Sequence, residues 1–80
     1  MKTIKTLTEL KRLSKDKTLE CAITLSFGLI SRKYISYDGK HFFIENCIDD
    51  THQKLDDKQL FDKNYTNIGF ALKKGALIIT

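Results

Sequence analysis

The sequence predicts an α+β domain, and three observations predict it. Residues 19–27, "LECAITLSF", alternate apolar and polar side chains, as a strand with one buried face does. An Asp-Gly pair at 38–39 stands between two apolar runs, the usual signature of a hairpin. Apolar residues recur at helical spacing on either side, as Leu7, Leu10 and Leu13 and again as Ile68, Ala71 and Leu72. The expected order is α-β-β-β-α-α-β: an N-terminal helix, a three-stranded antiparallel meander, two short helices and a C-terminal strand. Helices packed on one face of the sheet would give each apolar surface a covering layer. A chain of 80 residues buries only about 60% of its unfolded surface, so residues 1–80 are expected to form one small domain around one core.

Thr6 and Glu9 have the spacing of a capping box, which starts the first helix. Its leucines form the inner stripe, while Glu9, Lys11, Arg12 and Lys15 point outward until "SKDKT" ends it. In the first strand Leu19, Cys21, Ile23, Leu25 and Phe27 share the buried side. Gly28 allows a bend after it.

The next two strands come from "SRKYISYDGKHFFIENC". A two-residue type I′ turn at Asp38-Gly39 sets Tyr37 opposite Lys40, Ile35 opposite Phe42 and Lys33 opposite Ile44. On the other side it sets Ser36 against His41, Tyr34 against Phe43 and Arg32 against Glu45. Aromatic and opposite-charge pairs of this kind contribute a few tenths to ~1 kcal/mol each. Further on, Asp56 with Gln59 reads as a helix N-cap, and Leu55 with Leu60 as a hydrophobic staple. Thr66 or Asn67 caps the last helix, Lys73 and Lys74 suit its C-terminus, and Gly75 supplies a left-handed stop. "ALIIT" closes the chain as a strand, either at an edge of the meander or beside its first strand.

The net charge of +4 is unevenly placed. Residues 1–18 carry six basic and two acidic side chains, whereas residues 41–64 carry three basic and six acidic ones. A basic front and an acidic waist steer a polyanion towards one end rather than along a whole face. No apolar run approaches the ~20 residues that span a bilayer, and "MKTIKTLTELKRL" lacks the apolar centre of a signal peptide. With two cysteines and no export signal, the expected compartment is the cytoplasm, with both thiols reduced.

The stretch "HFFIENCIDDTHQ" looks most like chemistry. Phe42, Ile44 and Ile48 fall on the core side of its strand, which sends His41, Phe43, Glu45 and Cys47 to the other. His41 and Cys47 are then ~20 Å apart and cannot share an ion. Cys21 and Cys47 face opposite sides of the sheet, which disfavours a disulfide or a shared zinc. Asp49, Asp50 and His52, with Asp56 or Asp57, could attract a hard cation, but they lack the glutamate and turn glycine of a calcium loop. A solvated turn and cap is the expected role, so no metal and no cofactor are anticipated. Cys47 has no histidine placed to activate it, and the four glycines stand apart at 28, 39, 69 and 75. No catalytic residue, and no enzyme, is expected.

Surfaces are the better candidates. Arg32, Tyr34, His41 and Phe43 fall on the non-core side of the hairpin, where aromatic and basic groups could bind a protein partner or stack bases. That side is either open or covered by a helix; parity does not decide. The first helix offers Lys11, Arg12, Lys15 and Lys17 as an alternative, nucleic-acid-binding surface. The segments "TLTELKRLSKDK", "ECAITLSFGLISRKYISYDGKHFFIENCID" and "YTNIGFALKKGALI" resemble small uncharacterised proteins of prophages and other mobile elements in low-GC Gram-positive bacteria. The likeness covers most of the chain at the level of general pattern. It implies a compact cytoplasmic accessory protein and carries over no active-site residue.

Overall fold

A computed structural model describes residues 2–24, 30–47 and 50–80, with residues 16 and 30 described by their backbone alone. The expected roles of Leu25, Phe27, Gly28, Ile48 and Asp49 lie outside the described residues. The elements run β1 (Lys2–Ile4), α1 (Leu7–Asp16), β2 (Leu19–Thr24), β3 (Ile30–Tyr37), β4 (Phe42–Asn46), β5 (Thr51–Leu55), α2 (Asp57–Leu60), α3 (Ile68–Lys74) and β6 (Leu77–Ile79). All described pairings are antiparallel, in one six-stranded sheet of order β1-β6-β2-β3-β4-β5.

This corrects the expected α-β-β-β-α-α-β arrangement of a three-stranded meander with helices packed on one face and a single added strand. The meander has four strands, because residues 51–55, expected as a polar turn, pair with β4 from Phe42↔Leu55 to Asn46↔Thr51. The first residues, expected only to lead into a helix, form β1 against β6. Of the two positions expected for the last strand, it takes the one beside the meander's first strand: β6 lies between β2 and β1, antiparallel to both. Neither missed strand carries an apolar alternation. β1 has three residues, and β5 is an edge strand whose only buried side chain is Leu55. Both are stabilised by ladder hydrogen bonds, β1 to β6 at the far end of the chain and β5 to the strand just before it, which local periodicity does not report.

The β3–β4 register also differs, by two residues. Tyr37 faces Phe42, Ile35 faces Ile44, Tyr34 faces Glu45 and Lys33 faces Asn46. Asp38 lies outside the centre of the turn: its carboxylate accepts from the backbone N–H groups of Lys40 (2.8 Å) and His41 (2.7 Å), while its own N–H donates to the His41 carbonyl. Gly39 and Lys40 become the two central residues, and Gly39 alone of them has positive φ, +97°. A type I′ turn would need positive φ at both central positions. Packing agrees with this register. It sets Ile35 and Ile44 side by side in the core, stacks the Tyr37 and Phe42 rings at 4.5 Å, and gives the buried Lys33 ammonium the Asn46 side-chain oxygen as acceptor. The expected register would have faced that lysine with Ile44.

The core lies on the side of the sheet reached by Leu19, Cys21 and Ile23 of β2, Ile35 of β3, Phe42 and Ile44 of β4, and Leu77 of β6. The helices fill it with Leu10 from α1, Leu60 from α2, and Ile68, Ala71 and Leu72 from α3. Thr6 caps α1 by accepting the Glu9 N–H at 3.1 Å, and Asp56 with Gln59 forms a full capping box on α2. α3 has no side-chain cap from Asn67 and ends at Gly75 with φ +68°. Gly69 is required by proximity: a Cβ there would come within 2.6 Å of the Leu60 carbonyl and the Phe61 Cα, so α2 and α3 could not approach as they do.

Candidate functional site

The register builds the second face of the sheet. Residues opposite one another alternate faces together, so the side chains turned from the core form rows across the strands. One row runs Glu20–Tyr34–Glu45–His52 and the next runs Ser36–Phe43–Lys54. Tyr34, Glu45 and His52 of the first row and Ser36, Phe43 and Lys54 of the second, with Thr18, line a groove of about 360 Å³. Tyr34 is 38% and Phe43 39% exposed, whereas Phe42 and Ile44, their neighbours in sequence or across the ladder, are buried. The described helices send their buried side chains to the other face, into the core cluster, so this face is open among the described residues.

Its electrostatics are mixed. Arg32 reaches Glu20 at 3.8 Å, and the Lys54 ammonium stands 5.9 Å from the centre of the Phe43 ring. Glu45 faces Tyr34 on one side and His52 on the other. The result is an aromatic pair between two carboxylates and two cations.

Of the four residues expected on this face, Tyr34 and Phe43 share the groove. They are diagonal neighbours rather than directly opposed, because of the register shift. Arg32 lies on the same face beside Ala22 and is engaged by Glu20. His41 belongs to the turn instead: it is half-buried, and its N–H is held by Asp38, whose carboxyl is kept below its ordinary range by the His41 and Lys40 backbone donors. Sequence reasoning missed His52 and Lys54, which enter only because residues 51–55 form a strand. The Asp49-Asp50 pair before it was the available signal, since Asp50 adopts the left-handed φ of +56° that aspartate tolerates in tight reversals.

The α1 surface is weaker than its composition suggests. Lys11 is engaged rather than outward: its ammonium meets the Asp57 carboxylate at 2.6 Å and stands 5.6 Å from the Tyr37 ring centre. That hydrogen bond raises its pKa. Arg12, Lys15 and Lys17 are exposed.

The cysteines fall on opposite sides of the sheet. Cys21 is buried, and loss of solvation followed by the Glu20 charge pushes its thiol up to about 11. Cys47 is exposed at the end of β4. Asp50 and His52 of the expected acidic turn do approach one another, together with Glu45, each offering a ligand atom within 4.8 Å of the others. Exposed carboxylates gather in this way around ordinary turns, and the cluster carries no metal assignment. Asp56 and Asp57 are occupied elsewhere, by the α2 capping box and by Lys11. Among the described residues no helix is long and apolar enough to cross a membrane. Compared with protein-family models, curated proteins and solved structures, the chain matches none.

Proposed function

We propose that this chain is a non-enzymatic interaction module that holds a protein partner on the open sheet face, with Tyr34 and Phe43 as its anchors. The observation that carries the reading is the groove itself: two aromatic side chains, each more than a third exposed, on the face turned from a core that all three helices already fill. Exposed aromatics rimmed by polar groups mark contact sites more often than isolated apolar residues do. The charges select the occupant. Glu45 stands beside Tyr34 and Lys54 beside the Phe43 ring, while Arg32 offsets Glu20. The face therefore offers no net attraction to a phosphate chain and fits a protein segment carrying charge of both signs. It would insert one apolar side chain between Tyr34 and Phe43 and bring a lysine or arginine against Glu45.

A displayed-peptide selection on the parent protein, counter-selected on the Tyr34→Ser/Phe43→Ser variant, tests this. The expected outcome is enrichment of peptides with an aromatic or aliphatic anchor beside a basic residue, whose affinity for the double variant is reduced by tenfold or more. Binders that hold both proteins equally, or no enrichment over the variant, would remove the assignment. In this reading the protein acts as a cytoplasmic accessory factor.

A further inference from the structure

The largest exposed apolar side chains outside the groove gather around the last two helices: Phe61, Tyr65 and Phe70, the last of them 59% exposed. They are interleaved with cations. The Lys73 ammonium stands 5.4 Å from the centre of the Phe61 ring, and that of Lys74 stands 5.7 Å from the centre of the Phe70 ring. α3 explains the arrangement. Gly69 and Lys73 are one turn apart on one flank, with the Phe61 ring lying directly against Gly69; Phe70 and Lys74 are one turn apart on the next. Lys63 and Tyr65 precede them in the connector and line one pocket together. From residue 58 to 75 the single carboxylate is Asp62, whose side chain accepts the Asn64 N–H at 2.9 Å.

We infer that this Phe61–Phe70–Lys73–Lys74 surface binds single-stranded nucleic acid. Each phenylalanine–lysine pair carries what one nucleotide requires, a flat ring for the base and a cation for the phosphate, and α3 presents two such pairs side by side. Stacking on aromatic side chains with lysines along the backbone is how sequence-tolerant single-strand binders work. Phosphate attraction meets less opposition here than on the sheet face, where Glu20 and Glu45 border the aromatics. A lipid surface fits less well. Inserting these rings the 5–10 Å of a membrane-bound apolar face would drag in two ammonium groups held within 6 Å of the ring centres. The site also differs from the α1 surface, where Lys11 is engaged by Asp57.

Fluorescence anisotropy with a labelled oligothymidylate tests the inference, with phosphatidylglycerol vesicles as a second probe. The parent should bind the oligonucleotide at low salt. Phe70→Ala should weaken that binding about tenfold or more with unchanged thermal unfolding, and Phe70→Trp should retain it. Lys73→Gln with Lys74→Gln should flatten the dependence of log affinity on log salt by about 1.4. Tyr34→Ser/Phe43→Ser should bind the oligonucleotide as the parent does. No binding at low salt, equal binding by Phe70→Ala, or a Phe70 effect confined to the vesicles would each overturn the proposal.

Discussion

The two faces of the sheet are made by the same strands and differ by one residue in register. On one face Ile35, Phe42 and Ile44 are excluded from water by three helices; on the other, Tyr34 and Phe43 keep more than a third of their surface in solvent. Neighbouring side chains of similar size and polarity thus have different work. Burial of the first set supplies the stability, at about 25 cal/mol per Å² of apolar surface, and the second set is free to be replaced. Hydrophobicity alone does not separate the faces. The cover does, and cover is a tertiary property.

The cysteines report this contrast with the largest expected effect. Cys47 lies in solvent and Cys21 in the core, so a thiol reagent at neutral pH should titrate one cysteine in the folded protein. Cys21 should react more slowly by roughly several thousandfold or more if it is released only by global unfolding of a domain with ordinary stability of at least about 5 kcal/mol. Equal reaction of both thiols in native protein would break the assignment of sides. Next in size, Phe42→Ala should destabilise by about 3–5 kcal/mol in urea unfolding, since it empties the largest fully buried side chain. Gly69→Ala should cost about 1–3 kcal/mol, because its Cβ meets the Leu60 and Phe61 backbone, which cannot turn aside, as well as the Phe61 ring. A Gly69→Ala protein as stable as the parent would mean that α2 and α3 are not so closely apposed.

The smallest effect belongs to the turn. The Asp38 carboxyl titrates below its ordinary 3.8 because two backbone N–H groups stabilise its charged form. Its contribution to stability is therefore present above that ordinary value and lost as pH falls through the lower, folded one. A shallow acid-side loss that disappears in Asp38→Ala, followed by denaturant midpoints between pH 2 and 5, would support the Asp38 turn. An unchanged profile would contradict it.

Much of this was legible from the residues alone, where the signal was local. The side taken by each described residue of β2, β3 and β4 followed from alternation, and the caps at Thr6, Asp56 and Gly75 followed from short-range chemistry. The six-stranded sheet was not legible. β1 and β5 are too short or too polar to show a period; β1 forms because β6, from the far end of the chain, presents a ladder, and β5 because the adjacent β4 does. The hairpin register was misjudged because the Asp-Gly rule places aspartate inside the turn, whereas here the Asp38 side chain grips the turn from outside. Core matching was the overlooked signal, since only the observed register pairs Ile35 with Ile44 and keeps Lys33 beside Asn46. For the same reason the groove was half legible: Tyr34 and Phe43 came from parity, but His52 and Lys54 required a strand that no pattern announced.

Whether the Tyr34/Phe43 face is open in solution is measured most directly by equilibrium urea unfolding of Tyr34→Ser/Phe43→Ser beside the parent. The double variant should unfold with an unchanged urea slope and lose no more than about 1 kcal/mol, as expected for two half-exposed side chains. A loss of about 3 kcal/mol or more, the size reached when buried aromatics are truncated, would show that something covers this face and that the groove is part of the core.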